Sequence, residues 1–108
     1  MSPLNITHDD TATGPVLHVV GELDYVQAAA LRHRAEQLPL APGQCLTIDL
    51  SGLEFCDSTG ITALLAARQH AHASGADIAL HAVPPNLMRI LTLVGLDQIF
   101  TIRSSAPA

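Results

Sequence analysis

The residues with most chemical promise stand together as Asp57, Ser58, Thr59 and Gly60, between an apolar stretch and an Ala/Leu-rich one. One short polar side chain is enough to cap a helix, so two neighbouring hydroxyls pose a choice. Either Ser58 or Thr59 is the cap and nothing more, or Asp57 caps the helix and Ser58 keeps a free hydroxyl in the first turn. The second arrangement carries chemistry. A helix N-terminus offers unpaired N–H groups and a partial positive charge, so a phosphate on Ser58 would sit in a favourable field. Gly60 would let another chain approach the backbone closely.

Catalytic readings of the same residues fare worse. "CDSTG" lacks the glycine two residues before the serine that a nucleophile elbow has, and no histidine is placed beside it by the sequence. There is no Gly-rich loop followed by Lys and Ser or Thr, and the chain has no lysine at all. His70 and His72, two apart on a helix, point about 200° away from each other and do not grip a metal. They read as a solvated helix flank, and His18 and His81, alternating with apolar residues, read as structural strand residues. No nucleophile, base and oxyanion donors are grouped, so the expectation is a protein that is not an enzyme and takes no metal or cofactor.

Composition narrows the partners. Five arginines against ten acidic residues give a net charge of −5, opposite to the basic footprint of a nucleic-acid binder. Aromatic residues make up only 3% of the chain, too few for base-stacking platforms. Apolar runs are far shorter than the roughly 20 residues that span a bilayer, so no membrane insertion is expected. No basic segment followed by an apolar one opens the chain, and Cys45 and Cys56 are expected as unpaired thiols, which together suggest a cytoplasmic protein. At 108 residues the chain is expected to fold as one domain on a core of Leu, Ile, Val and Ala.

The elements that must hold Ser58 can be read from periodicity. Residues 4–8 and 16–21 are short and β-rich, separated by the turn-like "DDTATGP", and predict a hairpin. Asp24 caps a predicted helix from about 25 to 38, with Ala28, Leu31, Ala35 and Leu38 on one face. "CLTIDL" is a strand with Leu46, Ile48 and Leu50 on one side. The helix after Asp57 carries Ile61, Leu64 and Leu65 and stops at Gly75. A strand over 77–83 precedes a helix whose stripe is Leu87, Ile90, Leu91 and Val94, ended by Gly95, and a last strand covers roughly 99–102.

The order ββαβαβαβ predicts an α/β fold: a mixed, mostly parallel sheet with an N-terminal antiparallel hairpin and amphipathic crossover helices. Loops after the carboxyl ends of parallel strands share one rim. Here those loops are 22–25, 51–59 and 84–86, and the rim holds Ser58 and Thr59.

The stretches "GELD" at 21–24, "TIDLSGLEFCDSTGITALL" at 47–65 and "PPNLMRILTLVGLDQIF" at 84–100 closely resemble the STAS domain family, in the stand-alone form of bacterial anti-sigma-factor antagonists. The similarity runs over nearly the whole chain, with a domain over 1–103 and a short polar tail, 104–108. The resemblance implies a protein that binds an anti-sigma factor, often itself a serine kinase, and so frees a sigma factor. Phosphorylation of the serine matching Ser58 breaks the complex, and a serine phosphatase restores it. Asp24 and Asp57 match acidic positions beside that serine, with Thr59 and Gly60 following it. The partner-binding surface is implied at Glu22, Asp24, Ser51, Gly52, Ser58 and Thr59.

The chain departs from the pattern in its short C-terminus, which abbreviates or removes the last helix of many relatives. It also lacks lysine, so basic contacts rest on Arg32, Arg34, Arg68, Arg89 or Arg103. Two other readings accompany the first. One is a STAS scaffold subunit of a membrane transporter or stress-signalling complex, without a phosphorylation switch. The other is a small nucleotide-binding module, against which the missing phosphate loop weighs.

Overall fold

A computed structural model describes residues 4–103. The predicted tail, 104–108, lies outside the described residues. The chain builds β1 (Asn5–Thr11), β2 (Gly14–Leu23), α1 (Tyr25–Glu36), β3 (Cys45–Asp49), β4 (Leu53–Cys56), α2 (Ser58–Ala73), β5 (Asp77–His81), α3 (Pro85–Leu93), a short 3-10 turn (Leu96–Gln98) and β6 (Thr101–Arg103). The sheet runs β1-β2-β3-β5-β6, with β4 paired to β2. β1 is antiparallel to β2 and every other pairing is parallel, which is the α/β architecture expected.

Alternation along the strands decides the faces. Leu17, Val19, Leu46, Ile48, Ile78 and Leu80 are buried against Leu31, Leu64, Leu87 and Leu91 of the helices. The intervening residues form the other face, where register places Thr7, His18, Asp49, His81 and Arg103 in one row across five strands.

Four sequence expectations are corrected. The hairpin is longer than read from the sequence: Asp9, Asp10 and Thr11 belong to β1, because the antiparallel ladder continues to the tight Thr11–Gly14 pairing. The stretch 51–59 is not all loop, since Leu53–Cys56 is a strand. On α2 the buried face is Gly60, Ala63, Leu64, Ala67 and Ala71, while Ile61 and Leu65 are half-buried. Small residues let α1 and α2 lie against each other, so bulk is moved to the flank. On α3, Leu87 and Leu91 are buried but Ile90 and Val94 are exposed.

β2 is the longest strand because it serves two partners. Val16–His18 pair with β3, and Gly21–Leu23 pair with β4 further along. A bulge shifts the second pairing, since Gly21 is opposite Leu53 but Glu22 is opposite Phe55. Cys45 and Cys56 are free thiols, as expected. Among the described residues, no helix is long and apolar enough to cross a membrane.

Candidate functional site

The site is assembled where β2 and β4 end. Leu23 and Cys56 are register partners, and each is followed by an aspartate that starts a helix. Asp24 and Asp57 have nearly the same backbone conformation, φ −99° with ψ −173° and −172°. Asp24 accepts the Gln27 N–H at 3.0 Å. Asp57 Oδ1 accepts the N–H groups of Thr59 at 3.0 Å and Gly60 at 3.1 Å, together with the Thr59 hydroxyl.

This geometry settles which residue is the cap. Asp57 closes the helix end and Thr59 is bound into the cap, leaving Ser58 as the first, exposed residue of α2. The Ser58 hydroxyl takes no part in the capping bonds, while its carbonyl accepts the Thr62 hydroxyl at 3.1 Å. The Thr59 hydroxyl does most to hold the Asp57 carboxyl below its ordinary range; burial opposes it, and the N–H groups of Gly60 and Thr59 add to it. Asp57 is therefore a fixed negative charge. Burial, with Asp57 adding, pushes the adjacent Cys56 thiol up to about 11, so it stays protonated and unreactive at neutral pH.

Gly60 serves the inside of the molecule. A Cβ there would stand 2.6 Å from Cys56 Sγ and 2.9 Å from Leu23 Cγ. The close approach that glycine permits is used by β2 and β4, and the residue is buried rather than open to another chain.

The remaining predicted residues are placed less tightly. Glu22 is half-buried within β2, beside the bulge. Ser51 and Gly52 form the turn before β4, at the opposite end of that strand from Ser58. Ser51 N–H bonds Asp49 Oδ1 at 3.0 Å, and Gly52 carbonyl accepts Gly21 N–H at 2.9 Å. A Cβ on Gly52 would meet Val20 Cγ2 at 2.8 Å. Asp24, Asp57, Ser58, Thr59 and Gly60 thus converge, while Ser51 and Gly52 mark a second turn further off.

Sequence reasoning missed an apolar feature beside Ser58. Tyr25 and Val26 open α1 and are 76% and 73% exposed. They line a groove between α1 and α2 with Ala29, Thr59, Thr62 and Ala63. The signal was present in "GELDYV", where two large apolar residues follow a cap directly and so fall on the first turn. Among the described residues, no group of three or more His, Cys, Asp or Glu could hold a metal.

Residues 6–103 match the family model described as Mlab, STAS domain, and the chain belongs to the STAS domain family. It is 30% identical over 102 residues to the anti-sigma-F factor antagonist RsfB of Mycobacterium tuberculosis, covering 94% of this chain and 83% of that protein. The crystal structure of an anti-sigma factor antagonist from Mycobacterium paratuberculosis superposes with a TM-score of 0.77 at 28% identity, covering 94% of this chain and 86% of that one. A sulfate transporter family protein from Wolinella succinogenes shares the fold at a TM-score of 0.70 and 15% identity, over 82% of this chain and 74% of that one. The fold alone therefore does not separate antagonists from transporter-associated domains.

Proposed function

We propose that this protein is an anti-sigma-factor antagonist. It binds an anti-sigma factor at the rim around Ser58 and so frees a sigma factor, with no catalytic step of its own. Phosphorylation of Ser58 by the anti-sigma factor's serine kinase activity switches binding off, and a serine phosphatase restores it. The observation that carries this reading is the position of Ser58: exposed at the first residue of α2, outside the cap made by Asp57, and one residue before Thr59, which lines a groove with the exposed Tyr25 and Val26. Similarity to proteins named as antagonists supports the partner class.

Each neighbour has a part in the switch. The unmodified hydroxyl is small and neutral, so a partner can close over it and over the apolar groove. A phosphate adds roughly −1.5 to −2 charges at neutral pH. It would stand beside Asp57 and near Asp24, whose carboxylates are committed to helix caps. The helix N-terminus offsets part of that repulsion within the folded domain, but a covering partner must also strip water from the dianion.

The test is to mix the purified protein with candidate anti-sigma kinases and ATP, then locate added phosphate by mass spectrometry while measuring complex formation. Phosphate on Ser58 and loss of the complex are expected. A chain that forms no such complex and accepts no phosphate would return the reading to a scaffold subunit.

A further inference from the structure

Away from the Ser58 rim, three strands bring a histidine between two carboxylates. His18 of β2 has Nδ1 2.8 Å from Asp49 Oδ2 of β3 and Nε2 2.9 Å from Asp9 Oδ2 of β1. Ionised carboxylates only accept hydrogen bonds, and a neutral imidazole has a single N–H to give. Both contacts are satisfied together only when both ring nitrogens carry protons. The geometry points to His18 as a proton-operated latch: as imidazolium it ties the edge strand β1 to β3 across β2, and on losing one proton to solvent it releases Asp9.

Asp9 is the partner released because the two carboxylates are held differently. Asp49 is 18% exposed and its other oxygen already holds Ser51 N–H at 3.0 Å, whereas Asp9 is 71% exposed and can turn to water. The neutral ring keeps its Nδ1 proton on Asp49. Nε2 is left with a lone pair facing a carboxylate, which is repulsive.

The charged ring is favoured by its two carboxylates, and the other ionisable groups of the face follow along the register. Glu22 stands further along β2 on the same face, with His81 of β5 beyond Asp49 and Arg103 of β6 beyond His81. α1 packs on the opposite face, where Arg34 bonds the Ile6 carbonyl and the His8–Asp10 pair also lies. The Asp49 bond raises the His18 pKa above the ordinary histidine value; burial opposes this, and Asp9 adds to it. A raised folded value means that the stabilisation is complete below the unfolded pKa of about 6.5. It is lost as pH rises through the higher folded value. The latch thus opens as pH rises through a folded value above the ordinary histidine one, and it does so whatever partner the Ser58 rim binds.

The experiment is an NMR titration of the intact protein. Ring nitrogen shifts of His18 are expected to show both nitrogens protonated at low pH and Nδ1–H alone above the transition. Amide exchange in Asn5–Thr11, normalised to β3 and corrected for base catalysis, is expected to step up roughly three- to tenfold at that same pH. His18→Gln should abolish the step, and Asp9→Asn should lower the His18 pKa without unfolding the protein. A His18 that titrates at or below the ordinary value would overturn the latch. So would a step that persists in His18→Gln, or β1 exchange that ignores the titration.

Discussion

Asp24 and Asp57 repeat one another: each follows one member of the Leu23–Cys56 register pair, and each caps the helix it begins. Two helix N-termini therefore open on one rim, each with its positive end already answered by a fixed carboxylate. A third anion at Ser58 finds less unspent positive charge than an isolated helix end would offer. That relation gives the proposed switch its sign.

Phosphorylated protein should bind its anti-sigma partner far more weakly than unmodified protein while melting at a similar temperature. An uncompensated buried charge at an interface costs about 2 to 5 kcal/mol, which corresponds to roughly 30-fold to several thousand-fold in affinity. Ser58→Ala should bind constitutively, and Ser58→Asp, with about half the charge, should weaken binding only in part. Calorimetric titration of the four forms decides the matter, and equal affinities of the phosphorylated and unmodified protein would reject the switch.

Tyr25→Ser and Val26→Ser should leave stability within about 0.5 kcal/mol, because both side chains are exposed. If the groove receives the partner, affinity should drop by roughly tenfold or more for each. Unchanged binding with unchanged melts would remove the groove from the interface.

Gly60→Ala should destabilise the domain by about 1 to 3 kcal/mol, since the new methyl group has no room between Cys56 and Leu23. Adding Cys56→Ala should recover part of the loss but not all of it, because the Leu23 contact remains. Denaturant midpoints of the single and double variants test the coupling.

Thr59→Val keeps the backbone of the cap and removes the hydroxyl that does most to lower the Asp57 pKa. The lowered folded value means that the cap's contribution is full above the ordinary carboxylate pKa and is lost as pH falls through the folded one. Thr59→Val should therefore lose stability mainly near neutrality, where Asp57 is ionised, and approach the parent protein at acid pH, so that its acid-side loss of stability is smaller and complete at higher pH. Melts between acid and neutral pH measure this, and parallel curves would show that the hydroxyl does not matter to the cap.

Much of this was legible in the residues. The cap at Asp24, the buried row of β3 and the helix stops at Gly75 and Gly95 follow from spacing and backbone preference, whereas spacing left the second cap open among Asp57, Ser58 and Thr59. β4 was not legible: Leu53 is its one buried residue, and the bulge places Glu54 and Phe55 both in the open, which destroys the period of two. The bulk on α2 was misassigned because a helix that packs closely on its neighbour buries alanine and leaves Ile61 and Leu65 at the side. His18 looked like an ordinary strand residue, since its partners Asp9 and Asp49 are distant in sequence and only register brings them together.

The division of β2 between two partners makes the rim a separable piece of chain. Residues 51–57 join the sheet through three register pairs, all beyond the part of β2 that β3 uses. That segment shares no register pair with β2–β3 or β3–β5, so under the proposed function the binding rim can vary without changing a pairing of those strands. The same seam is where a foreign loop could be grafted, with the sheet as an unaltered chassis and Leu23 and Cys56 as its anchor points.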